Sequence, residues 1–409
     1  MTPSLRILLV VADHRPTGTA LVAMRHARGL RMKGAEVFLI GQSGKKLEEV
    51  CRAENFWADH SLILDRRGKP WNFLGDILRL RHLVKNLAIQ AVIAYGSNEQ
   101  LIASFALRRL GVPLIRFANG SPGGLALGAG PRQDFRRGKG LILRYGGASG
   151  LLAADPATLT YTPELVRSGR AAFVPAGVSP EEFHPLAPGR QRWRDMLGVQ
   201  PDEVLCGMLA AYKPERGFAL FIRAFAEAAR TRPHLRAVLA GDGSAEITAA
   251  FRAIADRHQI SSRVGFHRPT GDLPGFWAAL DVGFICHPGT GGGGSALLEG
   301  MAAETAMIAG DQGPLHLLAG HGTYARVISK PSPLDLDLGP VAEVSPAQAE
   351  LSAALALLAD DAALRVTLAE AGRQAVCQQF STQRMAETIL GVIQACGIAS
   401  SADASTPAS

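Results

Sequence analysis

Short, unbroken apolar runs alternate along this chain with longer segments whose apolar positions recur at helical spacing. The short runs read as strands buried on both faces, and the periodic segments as helices laid over them. The first cycle is a strand over Ile7–Val11, a loop over Ala12–Thr17, a helix from Gly18 to Lys33 and a strand over Glu36–Ile40. Gln90–Ala94, Gln100–Leu110 and Leu114–Phe117 continue it, and Ala171–Val178 closes the first half as a strand running into a turn. Pro180 to Arg192 is polar, Pro-containing and irregular, which reads as a linker. The alternation then restarts with a strand at Val204–Leu209, a helix at Phe218–Arg230 and a strand at Arg236–Ala240. A helix at Ala245–Arg257, a short strand at Val264–Phe266, a helix at Leu273–Leu280 and an apolar run from Val282 to Cys286 follow. Gln348–Leu358, Asp361–Gln378 and Thr382–Ala395 are the last helical patterns.

Strand–helix alternation predicts the α/β class with parallel sheets. At 409 residues the chain is too long for one ordinary core. The expectation is two Rossmann-like, doubly wound domains with a cleft between them, where strand ends and loops meet. The expected bounds are 1–180, a linker at 181–192, 193–378, a last helix at 379–397, and a disordered tail at 398–409.

One stretch stands apart. After the apolar run comes His287-Pro288-Gly289-Thr290-Gly291-Gly292-Gly293-Gly294-Ser295, then a helical pattern from Ala296 to Ala303. A glycine-rich turn between strand and helix lets backbone N–H groups face a bound anion, and the helix dipole adds partial positive charge there. Thr290, Gly291, Gly292, Gly293, Gly294 and Ser295 are therefore candidates for a phosphate cradle. Glu299, about one turn into the helix, is placed to hold sugar hydroxyls beside that anion. The plain alternative is a tight turn that happens to be rich in glycine.

Composition narrows the setting. Hydrophobic residues make up 47% of the chain, enough for large cores, yet no window of about 18 uninterrupted apolar residues predicts a membrane-spanning helix. The first eleven residues run straight into a strand without the pattern of a signal peptide. The five cysteines are scattered with no metal-ligand spacing, as expected in a reduced cytosol. Net charge is +7. Arg132, Arg136, Arg137, Lys139 and Arg144, interleaved with Phe135 and Tyr145, form a basic stretch suited to an anionic membrane surface or an anionic acceptor. A solvated basic loop is the alternative, and no nucleic-acid motif accompanies it.

Six segments, in order and at plausible spacings, carry a family resemblance. They are Thr17-Gly18-Thr19-Ala20 through Glu36-Val37, Val174 to Phe183, and Gly207-Met208-Leu209 through Lys213-Pro214-Glu215-Arg216-Gly217. Leu239-Ala240-Gly241-Asp242-Gly243, Leu297-Leu298-Glu299-Gly300-Met301-Ala302 and Phe380 to Ala386 complete the set. Together they make nearly the whole chain resemble a family 4, GT-B fold, retaining glycosyltransferase that uses nucleotide-activated sugars. The resemblance implies that Glu299 holds the ribose. It implies that Arg216, where the family has a lysine, neutralises the departing diphosphate with help from Lys213. It implies that Gly18 lets the first domain approach the phosphate or donor sugar, and that the helix at 379–397 crosses back to that domain.

The departures are specific. Gly291 stands where the family has a second glutamate on the donor sugar. Ala211 replaces an arginine ahead of the phosphate cation. Asn119-Gly120 replaces a His-Gly pair whose histidine lies beside the reacting carbon, which makes Asn119 the candidate there. Among other groups, Asp335-Leu336-Asp337 has the form of a metal-binding DxD pair but lies late, in a Pro-rich loop. His14 lies on the first loop, where it either substitutes for the missing histidine or is an ordinary surface residue. His267 and Arg268 either line the base pocket or satisfy each other locally. Gly241-Asp242-Gly243 reads as a structural turn.

The resulting expectation is a glycosyltransferase moving a sugar from a nucleoside diphosphate sugar to an acceptor hydroxyl, in surface polysaccharide or lipid-linked glycan assembly. No metal or other cofactor is required if Arg216 and Lys213 supply the charge. The acceptor would be a glycan or lipid-linked glycan, and the site of action the cytoplasm, at the inner face of the membrane if the basic stretch docks there. Two alternatives stay open: a non-catalytic nucleotide- or glycan-binding protein on a degenerate GT-B site, and a sugar-nucleotide epimerase on the same fold.

Overall fold

The computed structural model describes residues 4–12, 18–58, 61–63, 70–119, 147–268, 271–286 and 294–398. Its contacts divide into two compact units, Met1–Gly177 with Thr382–Ser409, and Val178–Ser381. Each unit is built on a six-stranded sheet, and every pairing is parallel.

In the first unit the strands are β1 (Arg6–Val10), β2 (Glu36–Ile40), β3 (Ala91–Ala94), β4 (Leu114–Ala118), β5 (Gly150–Ala153) and β6 (Ala171–Phe173), in the order β2-β1-β3-β4-β5-β6. The chain leaves β1 for β2 on one side and returns to β3 on the other. The ends of β1 and β3 therefore diverge at a topological switch point. Helices α1 (Thr19–Met32), α2 (Lys46–Ala53), α3 (Pro70–Asn86) and α4 (Ser97–Ala106) precede β5. Ile7, Leu8 and Leu9 are all fully buried, as strands covered on both faces require. The helix Thr382–Ala395 belongs to this unit. It packs on α1 so closely that a Cβ on Gly29 would lie 2.9 Å from the Thr382 carbonyl oxygen.

In the second unit the strands are β7 (Val204–Leu209), β8 (Leu235–Ala240), β9 (Val264–His267), β10 (Val282–Ile285), β11 (Ala306–Gly310) and β12 (Arg326–Ile328). Their order is β12-β11-β10-β7-β8-β9, so the switch point falls between β7 and β10. Phe221, Phe225 and Phe284 stack in its core.

The segment 181–192, expected as a linker, lies wholly inside the second unit. Its last residues enter the helix Gly189–Met196, which the polar composition concealed. That helix is anchored by two residues just past the expected boundary. Trp193 is 2% exposed and packs edge-on to Phe276. Arg194 donates to the carbonyls of Ala279 and Glu203 and pairs with Asp281 at 3.0 Å. Helices α2 and α3 and strands β5, β11 and β12 are also present where the hydrophobic pattern carried no reading.

Candidate functional site

The second unit builds its site at the β7/β10 switch point. β7 and β10 are neighbours, with Val282 beside Cys206 and Gly283 beside Gly207. The chain leaving β7 passes through Ala210–Lys213 into a short 3-10 turn, Pro214–Arg216, and then Gly217. Gly217 sits at φ 79°, in the left-handed region, and a Cβ there would lie 2.9 Å from Cys286 Sγ. The Arg216–Gly217 turn is thus pressed against the end of β10, where the glycine-rich segment begins. Arg216 is close enough for its charge to act on the Cys286 thiol. Burial dominates and pushes that thiol up to about 12, with a hydrogen bond from Gln312 opposing it. Lys213, in the same turn, is exposed.

Tyr212 braces this turn. Its hydroxyl donates to the Leu239 carbonyl at 2.7 Å, and its N–H donates to the Asp242 carbonyl at 2.9 Å. Cβ atoms on Gly241 and Gly243 would collide with Tyr212 at 2.3 and 2.6 Å. The Gly241-Asp242-Gly243 turn is therefore structural, and its purpose is to hold the Lys213–Arg216 loop. The sequence signalled the glycines but not their aromatic partner.

Thr290, Gly291, Gly292 and Gly293 lie outside the described residues, as do His14, Gly120 and the basic stretch from Arg132 to Arg144. The described part resumes at Gly294, φ 69°, which opens the helix Ser295–Ala302. Among the described residues no side chain caps that helix, and its first turn holds no acidic residue, so N–H groups of its first turn can face an anion. Ser295 is half-buried at its first position. Glu299 is only 4% exposed, and one of its oxygens accepts from Trp277 Nε1 at 3.1 Å. Trp277 is fully buried and is itself fixed by the Thr305 hydroxyl donating to its carbonyl at 2.7 Å. Trp277 is the orienting residue that the sequence analysis missed; it sat unremarked within the Leu273–Leu280 apolar pattern.

The first unit brings Gly18 and Asn119 together. Gly18 has φ 56° and ψ −121°, a backbone conformation open to glycine almost alone, and precedes α1. Asn119 follows β4, and its Nδ2 donates to Thr19 Oγ1 at 3.0 Å. Nearby, Glu99 of α4 is 3% exposed and accepts from the Ala12 N–H at 2.8 Å, tying the end of β1 to α4. The pairings of Thr19 and Glu99 were hidden in the sequence, because their partners lie about a hundred and 87 positions away.

Two other sequence candidates have local partners. Asp335 is 2% exposed and accepts from the Ser332 N–H and hydroxyl at 2.7 and 2.8 Å and from the Ser345 hydroxyl. It caps a short helix, and Arg223 donates to the neighbouring Asp337 carbonyl. The DxD pattern is thus a helix start and not a metal site. His267 does not pair with Arg268. It packs against Trp193 at 6.3 Å, and burial lowers its pKa, while exposed Arg268 faces Asp242 at 3.3 Å.

Comparison with known proteins bears on this geometry. Residues 201–336 match the family model "Glycosyl transferases group 1". No curated protein matches the chain. Among solved structures, a glycosyltransferase from Rickettsia africae is similar at TM-score 0.76 and 14% identity, covering 96% of this chain and 98% of that one. Anabaena HepE, solved with UDP and glucose, is similar at TM-score 0.74 and 16% identity, covering 95% and 99%. Sucrose-phosphate synthase from Thermosynechococcus elongatus is similar at TM-score 0.71 and 15% identity, covering 95% and 98%. The chain therefore has the GT-B fold, and residues 201–336 of its second unit carry the group 1 glycosyl transferase pattern.

Proposed function

We propose that this protein is a retaining, family 4-like glycosyltransferase that moves a sugar from a nucleoside diphosphate sugar to an acceptor hydroxyl. The observation that carries the reading is the switch point between β7 and β10. There a cationic turn with Arg216 and Lys213 sits against the start of the glycine-rich segment, one strand away from an uncapped helix bearing Glu299. The match over residues 201–336 covers this arrangement. In this reading Glu299, oriented by Trp277, holds the ribose hydroxyls. The amides from Thr290 to Gly294 and the start of the following helix hold the diphosphate.

As the bond from the anomeric carbon to the diphosphate breaks, its electron pair stays on the phosphate oxygen. Arg216 and Lys213 offset that growing charge. The acceptor oxygen forms the new bond to the anomeric carbon, and its proton passes to the departing diphosphate oxygen. Gly18 and Asn119, tied through Thr19, are read as the first unit's contribution beside the sugar. The HepE complexes make a uridine diphosphate sugar the first donor to test. A glycan or lipid-linked glycan is the proposed acceptor, used in the cytoplasm.

A second reading, a nucleotide-binding protein without turnover, is favoured by exposed Ala211, where the resemblance implies an arginine. Incubation with UDP-sugars and an acceptor panel separates them. Acceptor-dependent release of UDP with retained anomeric configuration supports the transferase. UDP binding without release across a broad panel supports the binding protein.

A further inference from the structure

A row of large apolar side chains on α3 faces outward. Trp71, Leu74 and Leu78 are 77%, 48% and 59% exposed. Their spacing places them on one stripe of the helix, while Leu80, Leu83 and Val84 on the other side are buried in the core. Phe105 of α4, 49% exposed, meets Phe73 of α3 edge-on at 6.1 Å and extends the apolar surface.

Among the described residues, the exposed charges of the two helices that carry it are of one sign. The single acidic residue of α3, Asp76, is 1% exposed and accepts from the Ile63 N–H. The single acidic residue of α4, Glu99, is also buried. The exposed charges of these two helices and the turn after α4 are Arg79, which pairs with Asp76 at 3.5 Å, and Lys85, Arg108 and Arg109. Beside the row lies an open cavity of about 510 Å³, lined by Ser43, Arg52, Ser61, Arg79 and His82 together with apolar Trp57 and Ile63. Arg52 is paired with Glu48 at its edge.

We propose that this face of the first unit docks onto an anionic phospholipid bilayer. Trp71, Leu74 and Leu78 enter the interface, the cations face the headgroups, and the cavity accepts a headgroup phosphate. A tryptophan with aliphatic neighbours and a cationic collar is the chemistry of an interfacial helix. A second copy of this chain fits worse, because a twofold contact would set Arg79, Lys85, Arg108 and Arg109 against their own like charges. The surface lies away from the basic stretch at Arg132–Arg144 in sequence, and the proposal stands apart from the transferase reading.

Trp71 supplies its own reporter. The other three tryptophans, Trp57, Trp193 and Trp277, are 8%, 2% and 0% exposed. Titration of the full chain with phosphatidylcholine vesicles containing about 30% phosphatidylglycerol should blue-shift the emission and allow quenching by brominated acyl chains. Both signals should disappear in Trp71→Phe. Partitioning should fall on the order of tenfold in Leu74→Ser/Leu78→Ser and again in Lys85→Gln/Arg108→Gln, with the melting temperature unchanged. Salt at roughly 0.5 M should weaken binding. The proposal is overturned by an unshifted Trp71, by equal binding to neutral vesicles, or by a dimer that the same substitutions dissolve while vesicle binding is absent.

Discussion

Glu299→Gln isolates the role assigned to Glu299. The choice of substitution follows from the bond between Trp277 Nε1 and Glu299 Oε2 at 3.1 Å. Glu299→Ala would leave a fully buried indole N–H without that acceptor, costing about 1–3 kcal/mol of stability. For a unit of this size that is a loss of roughly 2–4 °C per kcal/mol, and weakened nucleotide binding could then reflect a loosened fold. Glutamine keeps an oxygen for Trp277 and nearly the same volume, so the melting temperature should stay close to wild type. What it removes is the charge. A hydrogen bond to a charged acceptor contributes about 1.5–3 kcal/mol against about 0.5–1.5 kcal/mol for a neutral one. The difference, about 1–1.5 kcal/mol per ribose hydroxyl, corresponds to roughly tenfold in affinity per contact. Calorimetric titration with UDP, paired with thermal denaturation of the same sample, reads both quantities. An unchanged melting temperature with UDP affinity within about twofold of wild type would refute the ribose role.

Three further outcomes are expected. Arg216→Ala should lower kcat more than it weakens donor binding, because the diphosphate charge grows toward the transition state; a normal kcat with only a raised KM contradicts this. Gly241→Ala forces a Cβ to within 2.3 Å of the Ala210 carbonyl oxygen and the Tyr212 ring, so the brace of the Lys213–Arg216 turn must shift. It should cost about 1–3 kcal/mol in denaturant unfolding and reduce turnover, and wild-type values in both would contradict the brace. His26 is fully buried, bonded to the Tyr95 hydroxyl at 2.7 Å, and its pKa is lowered to about 3 by burial and by Arg25. The unfolded chain, with its histidine near pKa 6.5, takes up that proton first, so stability is whole above about 6.5 and is lost as pH falls from there toward about 3. Between pH 7 and pH 5 this amounts to about 2 kcal/mol, and His26→Gln should flatten that part of the profile; an unaltered slope rules the assignment out.

The alternation of apolar runs and helical patterns was enough to determine two parallel, doubly wound units, because a strand buried on both faces leaves an unbroken apolar signature. The last helix was legible to the residue, Thr382–Ala395, since it follows a serine and has a clear apolar stripe. Glu299 was legible as a candidate because a glycine-rich turn leading into a helix is a local signal, whereas Arg216, Lys213 and Gly18 entered through the family resemblance. The polar segment 181–192 misled, because Trp193 and Arg194, which anchor the helix it enters, make their contacts some eighty residues away. Separations of 22 to 100 positions hid Trp277 behind Glu299, Tyr212 behind Gly241 and Thr19 beside Asn119. The outward turn of Trp71, Leu74 and Leu78 was equally invisible, since a helical apolar stripe reads alike whether it faces a core or solvent. Sequence thus determined which chemistry is present. The tertiary structure alone decided which groups orient one another, because pairings across strands depend on sheet order and not on spacing along the chain.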